Sequence, residues 1–254
     1  VKLAFAAIIK PSDEEADLMA QLLANVSPHV DGLFITITGH NKKCEEVAKL
    51  FGAHISHYKW DKDFARARSF NFSQVPKEYD FILWGDADDQ FRGLEKLRET
   101  MKQHPGIDVY LMDYLYWFDE WGNPTVVHTK EQIVRNDGCT EWQALFLHEG
   151  LAPKRIVEIK KIEGIERIHV STEKRANEAK ERNIDIALKA IKVFKNDPRA
   201  WWNLANSYKA FNEHDKAIES YEKFISMSRS DDEKYLARVR IAEAFWLAGD
   251  YSRA

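Results

Sequence analysis

From Val1 to about Val170, short apolar runs alternate with amphipathic stretches; from Ser171 onward only the helical period remains. Leu3–Ile9 is apolar throughout, as a strand covered on both faces must be, and the run stops at Pro11. Ser12 then offers an N-cap, Asp13, Glu14 and Glu15 an acidic first turn, and Leu18, Leu22, Leu23 and Val26 hold a helical period up to Pro28. The same pattern predicts a strand over residues 32–38, a helix over 42–51, a strand over 54–58, a helix over 64–72 and a central strand over 80–84. Three strand–helix units in succession predict a Rossmann-like α/β layer with a mostly parallel sheet.

After a helix over residues 94–103 the rhythm changes. Residues 109–118 and 125–134 are strand-like and flank the turn-rich Asp119-Glu120-Trp121-Gly122-Asn123-Pro124, which predicts a hairpin. Residues 155–162 and 165–170, hinged at Gly164, read as a second, shorter hairpin. The helical tail holds an internal repeat. Leu204, Ala205, Tyr208, Ala217, Tyr221 and Phe224 follow Trp201 at spacings of 3, 4, 7, 16, 20 and 23, and this resembles the tetratricopeptide pattern, in which small residues let bulky ones nest between paired helices. A second unit is expected 37 residues on, where Ala242, Phe245 and Ala254 match Ala205, Tyr208 and Ala217, although Arg238 replaces Trp201. Two domains are therefore expected, 1–170 and 171–254. Because stacked repeats bury their faces on one another, a chain ending within its second repeat is expected to be cut short.

Composition removes several function classes. Lys and Arg number 37 against 41 Asp and Glu, for a net charge of −4 with both signs dispersed, so no polybasic surface marks a nucleic-acid or membrane binder. The longest apolar run falls far short of the roughly 20 residues of a membrane span, and no signal-peptide pattern precedes it, so a soluble cytoplasmic protein is expected. Two cysteines, Cys44 and Cys139, are too few for a disulfide framework or a cysteine-rich zinc site. With 11 glycines, 7 prolines and 8 tryptophans the chain reads as ordered.

The densest chemistry lies in Phe81-Ile82-Leu83-Trp84-Gly85-Asp86-Ala87-Asp88-Asp89, an apolar strand ending in three carboxylates. Clustered carboxylates repel unless a cation neutralises them, and oxygen ligands suit Mg²⁺ or Mn²⁺ bridging a diphosphate. A solvated acidic loop capping the next helix is the simpler reading of such a motif alone. Upstream stands Trp60-Asp61-Lys62-Asp63-Phe64-Ala65-Arg66-Ala67-Arg68-Ser69-Phe70-Asn71. Together the two segments resemble the family 2 glycosyltransferases of the GT-A fold, which carry an Asp-Phe-Ser/Ala-x-Ala-Arg-Asn segment, a strand, then Asp-Ala-Asp; Ser69 stands where that family has asparagine. The resemblance covers residues 1–170, and the fusion to tetratricopeptide-like helices resembles a subgroup of bacterial and phage enzymes.

This resemblance implies a GT-A nucleotide-diphospho-sugar transferase domain followed by an all-α repeat tail. The activity it implies is metal-dependent, inverting transfer of a sugar from a nucleotide-sugar, a UDP-sugar, to a peptide, protein or glycan acceptor. Lys10, Pro11, Thr38, Asp61, Arg68, Asp86 and Ala87 would approach the nucleotide, although Arg68 can equally form a salt bridge on a helix face. Asp86, Asp88 and His169 would face or bind Mn²⁺ or Mg²⁺. Trp142 through His148-Glu149 resembles the subgroup's Trp…His-Glu segment, which makes Glu149 the candidate base and His148 an acceptor-positioning candidate. Inversion needs a carboxylate to take the acceptor's proton. Trp117, Trp121 and Trp142 would flank the acceptor sugar, although core packing explains any one of them equally well.

Two other readings stay open: a non-catalytic nucleotide-binding scaffold whose repeat helices recruit a protein, and a nucleotidylyltransferase. The second would want a Gly-rich basic phosphate loop where Lys10-Pro11-Ser12-Asp13 stands. A homodimer through the repeat helices is plausible. His54 and His57, three apart on a strand, should point to opposite faces and make poor joint ligands. Asn25-Val26-Ser27 and Asn71-Phe72-Ser73 are sequons that matter only in a secreted protein. The Lys154-Arg155 and Lys160-Lys161 pairs read as a solvated strand face.

Overall fold

The computed structural model of the chain describes residues 1–143, 149–170 and 173–254. They form two compact units, Val1–Ala144 with Gly150–Ser171, and Leu145–Glu149 with Thr172–Ala254. The first unit begins β1 (Leu3–Ile9), α1 (Asp13–Val26), β2 (Gly32–Ile37), α2 (Lys42–Leu50), β3 (His54–His57), α3 (Phe64–Ser73), β4 (Phe81–Asp86). Strands β3, β2, β1 and β4 lie side by side, all parallel, as successive strand–helix units require. Each helix starts where the sequence supplies a side-chain acceptor: Ser12, Asn41 and Asp63 cap the backbone N–H groups of Glu15, Cys44 and Arg66. Along β1 the two-residue period divides the core. Leu3, Phe5, Ala7 and Ile9 meet Met19, Leu22 and Leu23 of α1 and Cys44 and Ala48 of α2, whereas Ala4 and Ala6 share the opposite face with Phe34 and Ile82, against which Phe72 of α3 packs. Cys44 is buried in the first of these layers, and Cys139 is buried too, so both thiols pack as small apolar groups.

The chain continues with β5 (Asp89–Arg92), α4 (Leu97–Gln103), β6 (Val109–Phe118), β7 (Pro124–Arg135), β8 (Thr140–Gln143), β9 (Gly150–Pro153) and β10 (Ile159–His169). Strands β6 and β7 form the predicted hairpin, and β7 joins β4 antiparallel, giving the eight-stranded order β3-β2-β1-β4-β7-β6-β10-β5. Strands β8 and β9 make a separate antiparallel pair.

The second hairpin expected over residues 155–170 does not form. Residues 159–169 are one strand, parallel to β6, and Gly164 makes a bulge: residues 161 to 166 of β10 pass only residues 111 to 113 of β6. Glycine there signals a bulge and a turn alike, and only the partner strand decides between them. The bulge has a tight neighbour. Gly93 has φ +82°, and a Cβ on it would lie 2.1 Å from the Gly164 carbonyl oxygen. Gly93→Ala therefore combines left-handed backbone with a backbone clash, and urea unfolding should show a loss of at least about 2 kcal/mol. Gly52→Ala, also at positive φ but with open space around it, should lose about 1 kcal/mol.

Lys154 and Arg155 are solvent-exposed as expected, but they lie just past β9 and not on a strand. Arg155 is tied to Asp108 at 2.9 Å and to Asp137 at 2.9 Å, and Arg135 Nε reaches Asp108 at 2.8 Å. Arg155's hydrogen bonds hold the Asp108 carboxyl well below the usual carboxylate range.

The second unit carries α5 (Glu173–Val193), α6 (Pro198–Ala210), α7 (His214–Met227) and α8 (Asp231–Leu247). Ala205, Ala217 and Ala237 are buried with Tyr221 and Phe224, and Trp201, Trp202 and Tyr208 pack around them. The alanines make room for the rings, as the repeat pattern requires. Among the described residues no helix is long and apolar enough to cross a membrane.

Candidate active site

Strand β4 is apolar until its last residue, Asp86, and the chain turns through buried Ala87 and Asp88 into β5 at Asp89. The turn is closed from within by the Asp86 backbone N–H, which donates to Asp89 Oδ2 at 2.6 Å. Strand β5 lies antiparallel to β10, with Asp89 opposite His169 and Phe91 opposite Arg167. The Val170 N–H donates to the Asp88 carbonyl oxygen at 2.7 Å. Strand pairing thus brings an imidazole and a guanidinium, far away in sequence, to the acidic tip. Arg167 and His169 share one face of β10 because they are two apart.

Two arginines organise the carboxylates. Arg68, 5% exposed, donates from Nη2 to Asp86 Oδ1 at 2.7 Å; Arg167, 2% exposed, donates from Nη2 to Asp86 Oδ2 at 2.7 Å and lies 2.5 Å from Asp89 Oδ2. Trp84 serves both guanidiniums, with its ring 4.6 Å from each; Trp142 adds a second face to Arg68 and Tyr114 a second face to Arg167. Aromatic faces offset part of the cost of burying these cations. Burial opposes ionisation of Asp86, but the Arg68 and Arg167 charges outweigh it and hold its carboxyl well below the ordinary range. Burial pushes the Asp89 carboxyl upward despite Arg167, and the neighbouring charges of Asp86 and Asp88 add to the rise.

Asp88, Asp89 and His169 form a group whose ligand atoms lie within 4.8 Å of one another. The imidazole is held in place: its Nδ1 is 3.1 Å from the Tyr114 hydroxyl and 3.9 Å from Asp88 Oδ2, and Tyr116 stacks on it at 4.7 Å with 4° between the planes. Burial raises the Tyr114 phenol far above its ordinary range, so the hydroxyl keeps its proton. Two carboxylates and an oriented imidazole suit a divalent cation. The fit is sharpened by Asp89 Oδ1, which is buried and lacks a hydrogen-bond partner among the described residues. A buried carboxylate oxygen left in that state costs free energy that a cation would recover. Within this set, Arg68 and Arg167 face Asp86, Asp88 and Asp89, so with all three ionised the tip carries one excess negative charge.

Sequence reasoning expected Asp86 to share the cation with Asp88 and His169. In the structure both Asp86 oxygens receive guanidinium hydrogen bonds, and Asp89 lies in the group with Asp88 and His169. Arg167, Tyr114 and Tyr116 were not anticipated. An arginine in phase with Ile165 on an alternating strand, two residues before His169, is the one signal that could have pointed to Arg167.

The other predicted residues are distributed along the ends of the parallel strands. Lys10 is exposed after β1, and Pro11 follows it, its ring packed so closely on Gly39 that a Cβ there would come within 2.9 Å of Cγ. Thr38 Oγ1 donates to the Ile9 carbonyl oxygen at 3.1 Å, binding the end of β2 to β1. Asp61 Oδ1 accepts from the Asp63 N–H at 3.2 Å across Lys62, which is held at φ 64°. Glu149 is half-buried immediately before β9, and His148 lies outside the described residues. Trp142 is 8% exposed and packs under Arg68, so it offers no open face to a sugar, whereas Trp117 and Trp121 are 55% and 78% exposed. His54 stacks on Phe34 while His57 pairs with Glu45 of α2, so these histidines do diverge.

Comparison with known proteins adds the following. Residues 198–231 match the family described as tetratricopeptide repeat. A TPR repeat-containing protein of Synechococcus elongatus is 35% identical over 77 residues, which is 30% of this chain and 19% of that protein; the chain thus matches about a fifth of its relative's length. Among solved structures, glucosyl-3-phosphoglycerate synthase of Mycobacterium tuberculosis in complex with phosphoglyceric acid is similar at a TM-score of 0.45 and 12% identity, covering 82% of this chain and 79% of that one. The same enzyme in complex with Mn²⁺, uridine diphosphate and glucosyl-3-phosphoglycerate scores 0.41 at 12% identity, covering 74% and 79%. A 4-diphosphocytidyl-2C-methyl-D-erythritol synthase of Anaerococcus prevotii scores 0.42 at 13% identity, covering 76% and 98%. The chain is a Rossmann-like α/β unit followed by helices that include a tetratricopeptide repeat at residues 198–231.

Proposed function

We propose that the α/β unit is a metal-dependent, inverting glycosyltransferase that uses a nucleotide-sugar, a UDP-sugar, and delivers the sugar to a peptide, protein or glycan. The observation that carries this reading is the Asp88–Asp89–His169 cluster at the carboxyl end of a central strand, with Asp89 Oδ1 buried and lacking a hydrogen-bond partner among the described residues. Open α/β sheets bind their ligands at that edge. Asp88, Asp89 and His169 would hold Mn²⁺ or Mg²⁺, which when bound supplies Lewis-acid stabilisation of the departing nucleoside diphosphate. Arg68 and Arg167 fix Asp86 and so hold the turn that presents Asp88. Lys10, Pro11, Thr38, Asp61 and Ala87 would line the nucleotide side. Glu149, assigned on the Trp142…His148-Glu149 sequence pattern, would take the proton from the acceptor nucleophile. The repeat helices would engage the acceptor or a second copy of the chain.

A non-catalytic nucleotide-binding scaffold is the second reading, and it draws on the closure of Asp86 by two arginines. Sugar release from UDP-sugars without acceptor separates the two. The transferase reading expects Mn²⁺- or Mg²⁺-dependent release of UDP from at least one donor, with Glu149→Gln slowing transfer to acceptor while leaving donor affinity unchanged. Metal-dependent UDP binding without release from any donor would favour the scaffold.

A further inference from the structure

A second group of potential ligands lies apart from the acidic tip, where the loop after β2 meets α2 and the end of β3. His40 sits in that loop, Glu45 in the first turns of α2, and His57 is the last residue of β3. His57 Nε2 is 3.6 Å and His40 Nδ1 3.9 Å from the same Glu45 oxygen, Oε1, and the three ligand atoms lie within 4.8 Å of one another. We propose that His40, Glu45 and His57 bind a divalent transition-metal ion of the zinc type.

The tautomer of His57 supports this assignment. Its Nδ1 is 2.8 Å from the Gly39 carbonyl oxygen. A carbonyl can only accept, so Nδ1 carries a hydrogen, and Nε2, the nitrogen that faces Glu45, is the one placed to ligate a metal. Imidazole ligands of metals are oriented in this way, by donating their second nitrogen to a backbone carbonyl. Two imidazoles and one carboxylate match the three-ligand open zinc site and disfavour Mg²⁺, which prefers an all-oxygen shell. Donors bound at about 2.0–2.1 Å in a tetrahedron stand roughly 3.3 Å apart, so the present spacings must close by a fraction of an ångström to about 1.5 Å. His40 has the freedom to do so: its side chain is 81% exposed and rests on the His57 ring, centroids 4.3 Å apart and planes at 27°. Lys49 also faces Glu45, with its Nζ 3.9 Å from Oε2, which leaves Oε1 to the metal. That exposed pair contributes little and offers weak competition.

Occupancy would clamp the loop after β2 to β3 and α2. The loop includes Gly39, which packs on Pro11, so the metal would brace the end of the sheet beside β1. The third grouping of this kind, Asp108, Asp137 and Cys139, has its carboxylates engaged by Arg135 and Arg155 and is a weaker competitor.

The test uses the untagged full chain, stripped with a chelator and titrated with Zn²⁺ by calorimetry and with Co²⁺ by visible absorption. Saturable zinc binding and a tetrahedral cobalt spectrum are expected to persist in Asp88→Asn and in Cys139→Ser. Affinity should fall tenfold or more in His40→Asn and in His57→Asn, together with loss of the cobalt spectrum. Both histidines are on the surface, and circular dichroism reports whether the variants stay folded. Absence of saturable zinc binding in the wild type, wild-type affinity in both histidine variants, or loss of binding in Asp88→Asn or Cys139→Ser instead would overturn the proposal.

Discussion

Asp88→Asn should abolish the metal-dependent stabilisation of this protein by UDP while leaving the fold intact. The substitution keeps the shape of the side chain and removes the charge that, with Asp89 and His169, would hold the cation. For the wild type, UDP with Mn²⁺ at 100 times its dissociation constant should add about 2.7 kcal/mol, a shift in midpoint on the order of 5–10 °C for a unit of this size. The variant should show no such shift, and release of UDP from the donor should fall roughly 100- to 1000-fold, the usual cost of losing one strong electrostatic contact to a developing charge. His169→Asn should weaken the metal response in the same direction, since its imidazole lies against Asp88. If Asp88→Asn shifted with UDP and Mn²⁺ as the wild type does, the cation would be held elsewhere and the transferase reading would fail.

The second large effect concerns stability. Arg167 is 2% exposed and is the shared partner of Asp86 and Asp89. Arg167→Met keeps much of the apolar stem but leaves Asp89 buried without its cation, and removal of one partner from a buried ion pair costs about 3–5 kcal/mol. Urea unfolding monitored by tryptophan fluorescence should therefore show a large fall in midpoint. The double variant Arg167→Met with Asp89→Asn should recover part of the loss, because the orphaned charge is gone; such recovery is the signature of a coupled pair. A single-variant loss below about 1 kcal/mol, or no recovery in the double variant, would mean that the guanidinium contributes packing alone. Arg68→Met should cost less, because Asp86, its partner, is partly exposed and retains Arg167.

These two residues also mark how far the sequence can be read. Asp88 lies in a local pattern, an apolar strand ending in acids, and such patterns are legible because strand, turn and carboxylates are contiguous. Arg167 lies in an equally local pattern, an alternating strand, but what it faces is fixed by the pairing of β10 with β5 and by the position of Asp86 at the end of β4. Nothing in residues 165–169 names those partners. The same limit explains the hairpin that proved to be one bulged strand. A glycine between two β-prone runs is compatible with either outcome, and β6, continuing beside both runs, decided it. It explains Trp142 as well. An aromatic residue in a segment expected to flank the acceptor reads as a sugar platform, yet here it is buried against Trp84 and the Arg68 guanidinium.

The sequence by itself determined the order of strands and helices from β1 to β4, the β6–β7 hairpin, the helical tail and its repeat, because hydrophobic period, caps and turn residues act over a few positions along the chain. The tertiary structure alone decided which groups meet the carboxylates: Arg68 and Arg167 hold Asp86, Arg167 also holds Asp89, and His169 lies beside Asp88. Those pairings depend on distances between residues far apart in sequence, and a buried charge is set by whatever group the fold brings within hydrogen-bonding reach of it.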